Sequence, residues 1–275
     1  MRLALAQLAP RLGDVEANEL AAREAIAAAR AGGADLVVFP ELYLSGYALR
    51  ETAAETARSA EEVAAIADGG PAALIGFHED GHNSAAYVHG GTVVHVHRKL
   101  YLVDYPPFDE HELYAPGEEL RAFDTLFGRF AILICNDAWQ PFLPFLAVQD
   151  GARVLLVPSC SSDAVPEAEE YWRDLTRFYA RMLQCWVVFV NRAGVEAGFT
   201  YWGGSHVVDP HGEIVAEAPR LDAAIVFADV DVSMVEARRS ELPLLRDPRL
   251  DLVAAELERL ARAVTRPIEI EEARW

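Results

Sequence analysis

Residues 129–142, Arg-Phe-Ala-Ile-Leu-Ile-Cys-Asn-Asp-Ala-Trp-Gln-Pro-Phe, contain an apolar run, Phe130 to Ile134, that stops at Cys135-Asn136-Asp137 and breaks again at Pro141. A short run that is apolar at every position reads as a strand buried on both faces. The cysteine therefore stands where a rigid sheet hands its chain to a loop, and side chains at such points are held firmly yet stay accessible. Two other apolar runs finish in the same way. Asp35-Leu-Val-Val-Phe-Pro-Glu41 ends in a carboxylate, and Val93-Val-His-Val-His-Arg-Lys99 ends in an ammonium.

Strands are predicted for residues 3–8, 35–40, 72–77, 130–135, 154–157, 187–190 and 224–230. Helices are predicted for 15–30 (stopped by Gly32-Gly33), 59–67, 144–150, 167–184 and 252–263. Residues 84–88 and 92–96 form a hairpin about Gly90-Gly91, and further hairpin strands flank the turn Asp209-Pro-His-Gly212. Helices alternate with strands and hairpins, and no linker or repeat interrupts them. The pattern fits one α/β domain over 1–275, built as a layered sandwich with helices outside two sheets, and an extended tail at 265–275.

The chain has 275 residues, 52% of them hydrophobic and 24% charged, an ordinary balance for a soluble globular protein. No apolar run approaches the roughly 20 residues that span a bilayer. The N-terminal apolar stretch is broken early by Gln7 and Pro10 and does not read as a leader, so the cytoplasm is the expected compartment. A net charge of −19 argues against nucleic acid and anionic membrane as partners. The three cysteines, Cys135, Cys160 and Cys185, offer neither a disulfide framework nor metal-ligand spacing. The chain contains a single lysine, Lys99, among 24 basic residues. Lysine is a compact point charge that approaches a small group end-on, which arginine does not do.

Together, the three residue types make a working set. A thiol needs a base or a positive neighbour to become a nucleophile, and Glu41 can take its proton and return it to a leaving amine. Attack on an amide carbonyl builds a negative oxygen that fixed donors must meet. Lys99 supplies one donor and the backbone N–H of Asn136 another.

The set resembles the nitrilase, or carbon–nitrogen hydrolase, superfamily. Phe39-Pro-Glu41, Arg98-Lys99 and Cys135-Asn-Asp137 match its FPE, RK and C-x-D motifs in chain order, and Asn191-Arg-Ala-Gly-Val-Glu196 resembles its N-R-x-G-x-E segment. The resemblance covers nearly the whole chain. It implies a four-layer α-β-β-α sandwich, commonly a homodimer paired through one helical layer. It further implies hydrolysis of a small amide or N-carbamoyl compound through a cysteine thioester, with no metal or cofactor. By this resemblance Glu41 is the base, Lys99 the stabiliser of the tetrahedral intermediate and Cys135 the nucleophile. Glu110, in Phe108-Asp-Glu-His-Glu-Leu-Tyr114, is a second acid assisting them.

Tyr47, Tyr105, Asn136, Trp139 and Ser161 lie in segments similar to the glutaminase part of glutamine-dependent NAD synthetases and are expected to contact substrate. Asn136 departs from that group, which commonly has an acid directly after the cysteine, so recognition of an α-amino group is not expected. Nitrilase activity, acyl transfer to an amine and a catalytically silent binding protein are the alternatives. His95 and His97 alternate on a strand as metal ligands do, but no third ligand lies nearby. Cys160 reads as pocket lining and Cys185 as core.

Overall fold

The computed structural model describes residues 1–49 and 55–264; the predicted tail at 265–275 lies outside them. Two six-stranded sheets face each other. The first is built from β1 (Arg2–Gln7), β2 (Leu36–Val38), β3 (Ala72–Glu79), β4 (His82–His89), β5 (Thr92–Arg98) and β14 (Ala224–Asp229), in the order β14-β1-β2-β3-β4-β5. The second holds β6 (Phe123–Thr125), β7 (Gly128–Ile132), β8 (Val154–Ser159), β9 (Trp186–Asn191), β12 (His206–Val208) and β13 (Ile214–Glu217), in the order β13-β12-β9-β8-β7-β6. A separate hairpin joins β10 (Ala193–Glu196) to β11 (Phe199–Trp202).

In each sheet the centre is a parallel trio, β1-β2-β3 and β7-β8-β9, flanked by antiparallel strands. Parallel strands covered on both faces need apolar side chains on both. β8 and β9 meet that need, with all six residues of each buried.

Alternation along the strands builds the layers. Leu3 and Leu5 of β1 meet Phe130 and Ile132 of β7 in a core between the sheets. Ala4 and Ala6 face outward against α1 (Val15–Ala31) and α2 (Ala60–Ile66). Ala131 and Leu133 face outward against α4 (Phe142–Gln149) and α5 (Ala168–Leu183). The result is the α-β-β-α sandwich expected from the sequence. The short α3 (Glu110–Leu113) follows β5, while α6 (Ser233–Glu241) and α7 (Leu250–Val264) follow β14. α2 starts on a capping box: the Ser59 hydroxyl accepts from the Glu62 N–H, and the Glu62 carboxylate accepts from the Ser59 N–H.

The predicted strand 130–135 is shorter than expected. β7 ends at Ile132, the Leu133 N–H still reaches Leu156 O at 2.9 Å, and Cys135 opens a one-turn 3-10 helix, Cys135–Asp137. Asp137 turns the chain out of the sheet by accepting the Ile134 N–H at 3.0 Å. Four elements escaped the sequence reading: β6, α3, α6 and the β10–β11 hairpin. The last of these holds Gly194 and Gly198, both at positive φ. Among the described residues no helix is long and apolar enough to cross a membrane.

Candidate active site

Glu41 and Lys99, each just past a strand end, meet Glu110 at one edge of the sandwich. Lys99 Nζ lies 2.7 Å from Glu41 Oε1 and 2.7 Å from Glu110 Oε1, and all three side chains are buried. Each is placed by its own element. Glu41 follows β2 in a loop that packs on Gly76 of β3, where an added Cβ would lie 2.3 Å from the Pro40 carbonyl oxygen. Lys99 continues β5, its N–H donating to Asn83 O at 2.8 Å. Glu110 begins α3, and its Oε2 accepts the Val103 N–H at 3.0 Å.

Glu41 is held on both oxygens. Oε1 accepts from Lys99 and from Asn83 Nδ2 at 2.8 Å, and Oε2 accepts the backbone N–H of Cys160 at 2.8 Å. Burial, with Glu110 nearby, raises its pKa above the ordinary 4.5, while Lys99 and the Asn83 amide oppose the rise. Burial alone would lower Lys99, but Glu110 and Glu41 hold it well above the usual lysine range. Its three donors exceed these two partners by one.

Cys135 is half-buried at a backbone φ of +44°, a conformation that non-glycine residues rarely adopt and that clusters at functional sites. Burial pushes its thiol well up, Glu41 adds to the rise, and Lys99 and the Cys160 N–H oppose it. These surroundings favour the neutral thiol over a preformed thiolate. The 3-10 turn bonds Asp137 N to Ile134 O and Ala138 N to Cys135 O, leaving the N–H groups of Cys135 and Asn136 without an acceptor inside the turn.

Cys135 lines a narrow cavity of about 30 Å³, and Tyr47, Tyr105, Asn136, Trp139 and Ser161, each predicted to contact substrate, line it with Cys135. Tyr47 also donates from its hydroxyl to Glu110 Oε1 at 2.5 Å. Tyr105 is 48% exposed and sits at the rim. The Asn136 amide donates to Tyr101 O at 3.1 Å, so it braces the segment after Lys99. The Ser161 N–H donates to Asn191 Oδ1 at 2.8 Å.

Three supports were not legible as such. Asp137 is fully buried and accepts the N–H groups of Leu100 and Tyr101, each at 2.9 Å, and His97 Nε2 lies 3.0 Å from its Oδ2. It ties the cysteine turn to the lysine strand, and this is where His97 is used. His95 instead stacks on Phe123 at 4.4 Å, and no metal-holding cluster of His, Cys, Asp and Glu exists among the described residues. The buried Arg192–Glu196 pair, 2.5 Å apart, is the second support, with Glu196 Oε1 accepting the Tyr47 and Ala48 N–H groups at 2.9 Å. The third is Asn83 with the Cys160 backbone. A lone Asn in a hairpin and a main-chain amide leave no signal in sequence. Cys160 lines the cavity as expected, but its N–H on Glu41 matters more; Cys185 is core.

The profile of the carbon–nitrogen hydrolase family matches residues 2–240. The chain belongs to that family. It is 33% identical to a glutamine-dependent NAD(+) synthetase of Thermotoga maritima over 87% of this chain and 44% of that protein, so it spans about half the length of such relatives. An N-carbamoylputrescine amidase of Arabidopsis thaliana is 28% identical, with 87% of this chain and 89% of that protein covered. An amidase of Nesterenkonia sp. AN1, solved with acrylamide added at its active site cysteine, superposes at a TM-score of 0.74 with 26% identity, covering 88% of this chain and 98% of the other.

Proposed function

We propose that this carbon–nitrogen hydrolase is an amidase that cleaves a small amide or N-carbamoyl compound and releases ammonia through a thioester on Cys135. One observation carries the reading: a half-buried thiol, backbone-strained, lines a narrow cavity beside a buried Glu41–Lys99–Glu110 cluster.

Glu41 takes the thiol proton as the sulfur attacks the carbonyl carbon. The carbonyl oxygen becomes an oxyanion that meets the third N–H of Lys99 and the Asn136 N–H. The tetrahedral intermediate collapses, the C–N bond breaks, and the proton held by Glu41 passes to the departing amine. Water, deprotonated by Glu41, then hydrolyses the thioester. Glu110 keeps Lys99 charged and aimed, which the 2.7 Å contact supports.

The homodimer implied by the sequence resemblance belongs to the same proposal. Exposed Tyr171, Phe178 and Met182 on α5 support it, and sedimentation of the purified chain tests it.

The activity is tested by ammonia release from aliphatic amides, ω-amides of dicarboxylates, N-carbamoyl amines and acids, glutamine and nitriles. Release from amides or N-carbamoyl compounds is expected. Release from nitriles alone, or from nothing, contradicts the reading.

A further inference from the structure

We infer that the Cys135 cavity selects an uncharged substrate, a slender primary amide with a short apolar tail, over amides that carry a carboxylate or an ammonium. This rests on Cys135 being the nucleophile, as proposed above.

None of the described residues lining the cavity is charged. Beyond the polar tips of Asn136, Ser161 and Ser162, its wall is Val103, Phe108, Val165, Ala168 and Trp172 together with the aromatic rings already named. A charged group brought into such a space loses its hydration and must find an opposite charge or several hydrogen bonds there.

The ionic groups behind the wall are already committed to one another. Lys99 is shared between Glu41 and Glu110. Glu110 also accepts from the Tyr47 hydroxyl and the Val103 N–H, and Glu41 from Asn83 and the Cys160 N–H. Arg192 is held by Glu196 and lies 4.2 Å over the Tyr201 ring. Each of these cations is already neutralised by a carboxylate, and each carboxylate by a cation, so a charged substrate finds no unpaired opposite charge among them.

The aromatic rings of the wall are packed on one another. The contacts are edge to face: Tyr47 and Tyr105 on Phe108 with interplanar angles of 85° and 89°, and Trp139 on Trp172 at 86°. Asn136, directly after the nucleophile, is neutral, and its amide is engaged with the carbonyl of Tyr101. The narrowness of the cavity favours a slim, flat group, which a primary carboxamide is.

The test compares kcat/KM for three amides of matched length: butyramide (neutral), succinamate (anionic) and 3-aminopropionamide (cationic). Butyramide is expected to exceed both by on the order of 100-fold. A charged amide within tenfold of butyramide overturns the inference and leaves the amidase reading standing, since ammonia is still released. If none of the three is cleaved, the amidase reading fails for this class and alkylation of Cys135 decides the inference. Iodoacetamide is expected to outpace iodoacetate at Cys135 by at least about tenfold more than it does in the same chain unfolded in urea. Equal ratios in the folded and unfolded chains overturn it.

Discussion

At the scale of single residues, the site is a problem of keeping one buried carboxylate ionised. In the proposed mechanism Glu41 must be charged to take a proton, yet burial and Glu110 work against that, and Lys99 and Asn83 favour it. Activity rises as Glu41 ionises, so the acid limb of kcat/KM is expected above pH 4.5, the ordinary value for this group. Asn83→Leu removes one donor and keeps the volume. It is expected to move that limb further up in pH while leaving the plateau within about tenfold, because Lys99 and the Cys160 N–H still orient the base. A pH–rate profile unchanged by the substitution contradicts this role. Lys99→Arg keeps the charge but brings a broad planar group to a position fully enclosed by two carboxylates. A fall in kcat on the order of 100-fold or more is expected by steady-state assay, comparable to loss of an oxyanion donor; full activity would end the lysine's assigned part.

At the scale of elements, the question is how strands from two sheets bring these groups together. Asp137 does much of that work, joining the turn after β7 to the segment after β5 through its bonds to Ile134, Leu100, Tyr101 and His97. Asp137→Ala leaves several buried donors without an acceptor. It is expected to lower unfolding stability by about 3 kcal/mol or more in denaturant titrations, and activity with it. The C-x-D spacing made Asp137 visible in sequence, but not its partners, because a hydrogen bond to a residue 37 positions earlier leaves no local pattern. The parallel strands were legible from their unbroken apolar runs, as were the long helices from their period. β6 with three residues and α3 with four were too short to show a period at all. β7 was overextended because Leu133 and Ile134 are as apolar as the strand itself, while the turn is imposed by Asp137 from further along.

At the scale of the whole molecule, the two parallel trios place the ends of β2, β7 and β8 at one edge, so Glu41, Cys135 and Cys160 arrive there from separate parts of the chain. Of the candidate residues, those carried by motifs at strand ends were readable, and so were Tyr47, Tyr105, Asn136, Trp139 and Ser161 of the cavity lining; the rest of its wall, such as Val103, Phe108, Val165 and Trp172, was not, since it depends on which loops fold over it. Stability should also carry a pH signature. Burial lowers His206 from 6.5 to about 4, and it sits fully enclosed with Thr176 Oγ1 and Gly204 O, each at 2.8 Å. A depressed pKa means the stabilisation is complete above pH 6.5 and is lost as pH falls through about 4. The linked loss is on the order of 3 kcal/mol at most. Tm measured between these pH values should fall in the wild type and fall less in His206→Gln; identical slopes would show the acid sensitivity lies elsewhere.

The most direct test of the account is ammonia release by Cys135→Ala beside the wild type, on whichever substrate the wild type cleaves, with Tm measured for both. The account predicts a kcat lower by on the order of 10⁴-fold or more at a nearly unchanged Tm, since the substitution removes the nucleophile and little packing. A folded variant that keeps activity within tenfold of the wild type would contradict it, because the bond would then be broken without a thioester at Cys135.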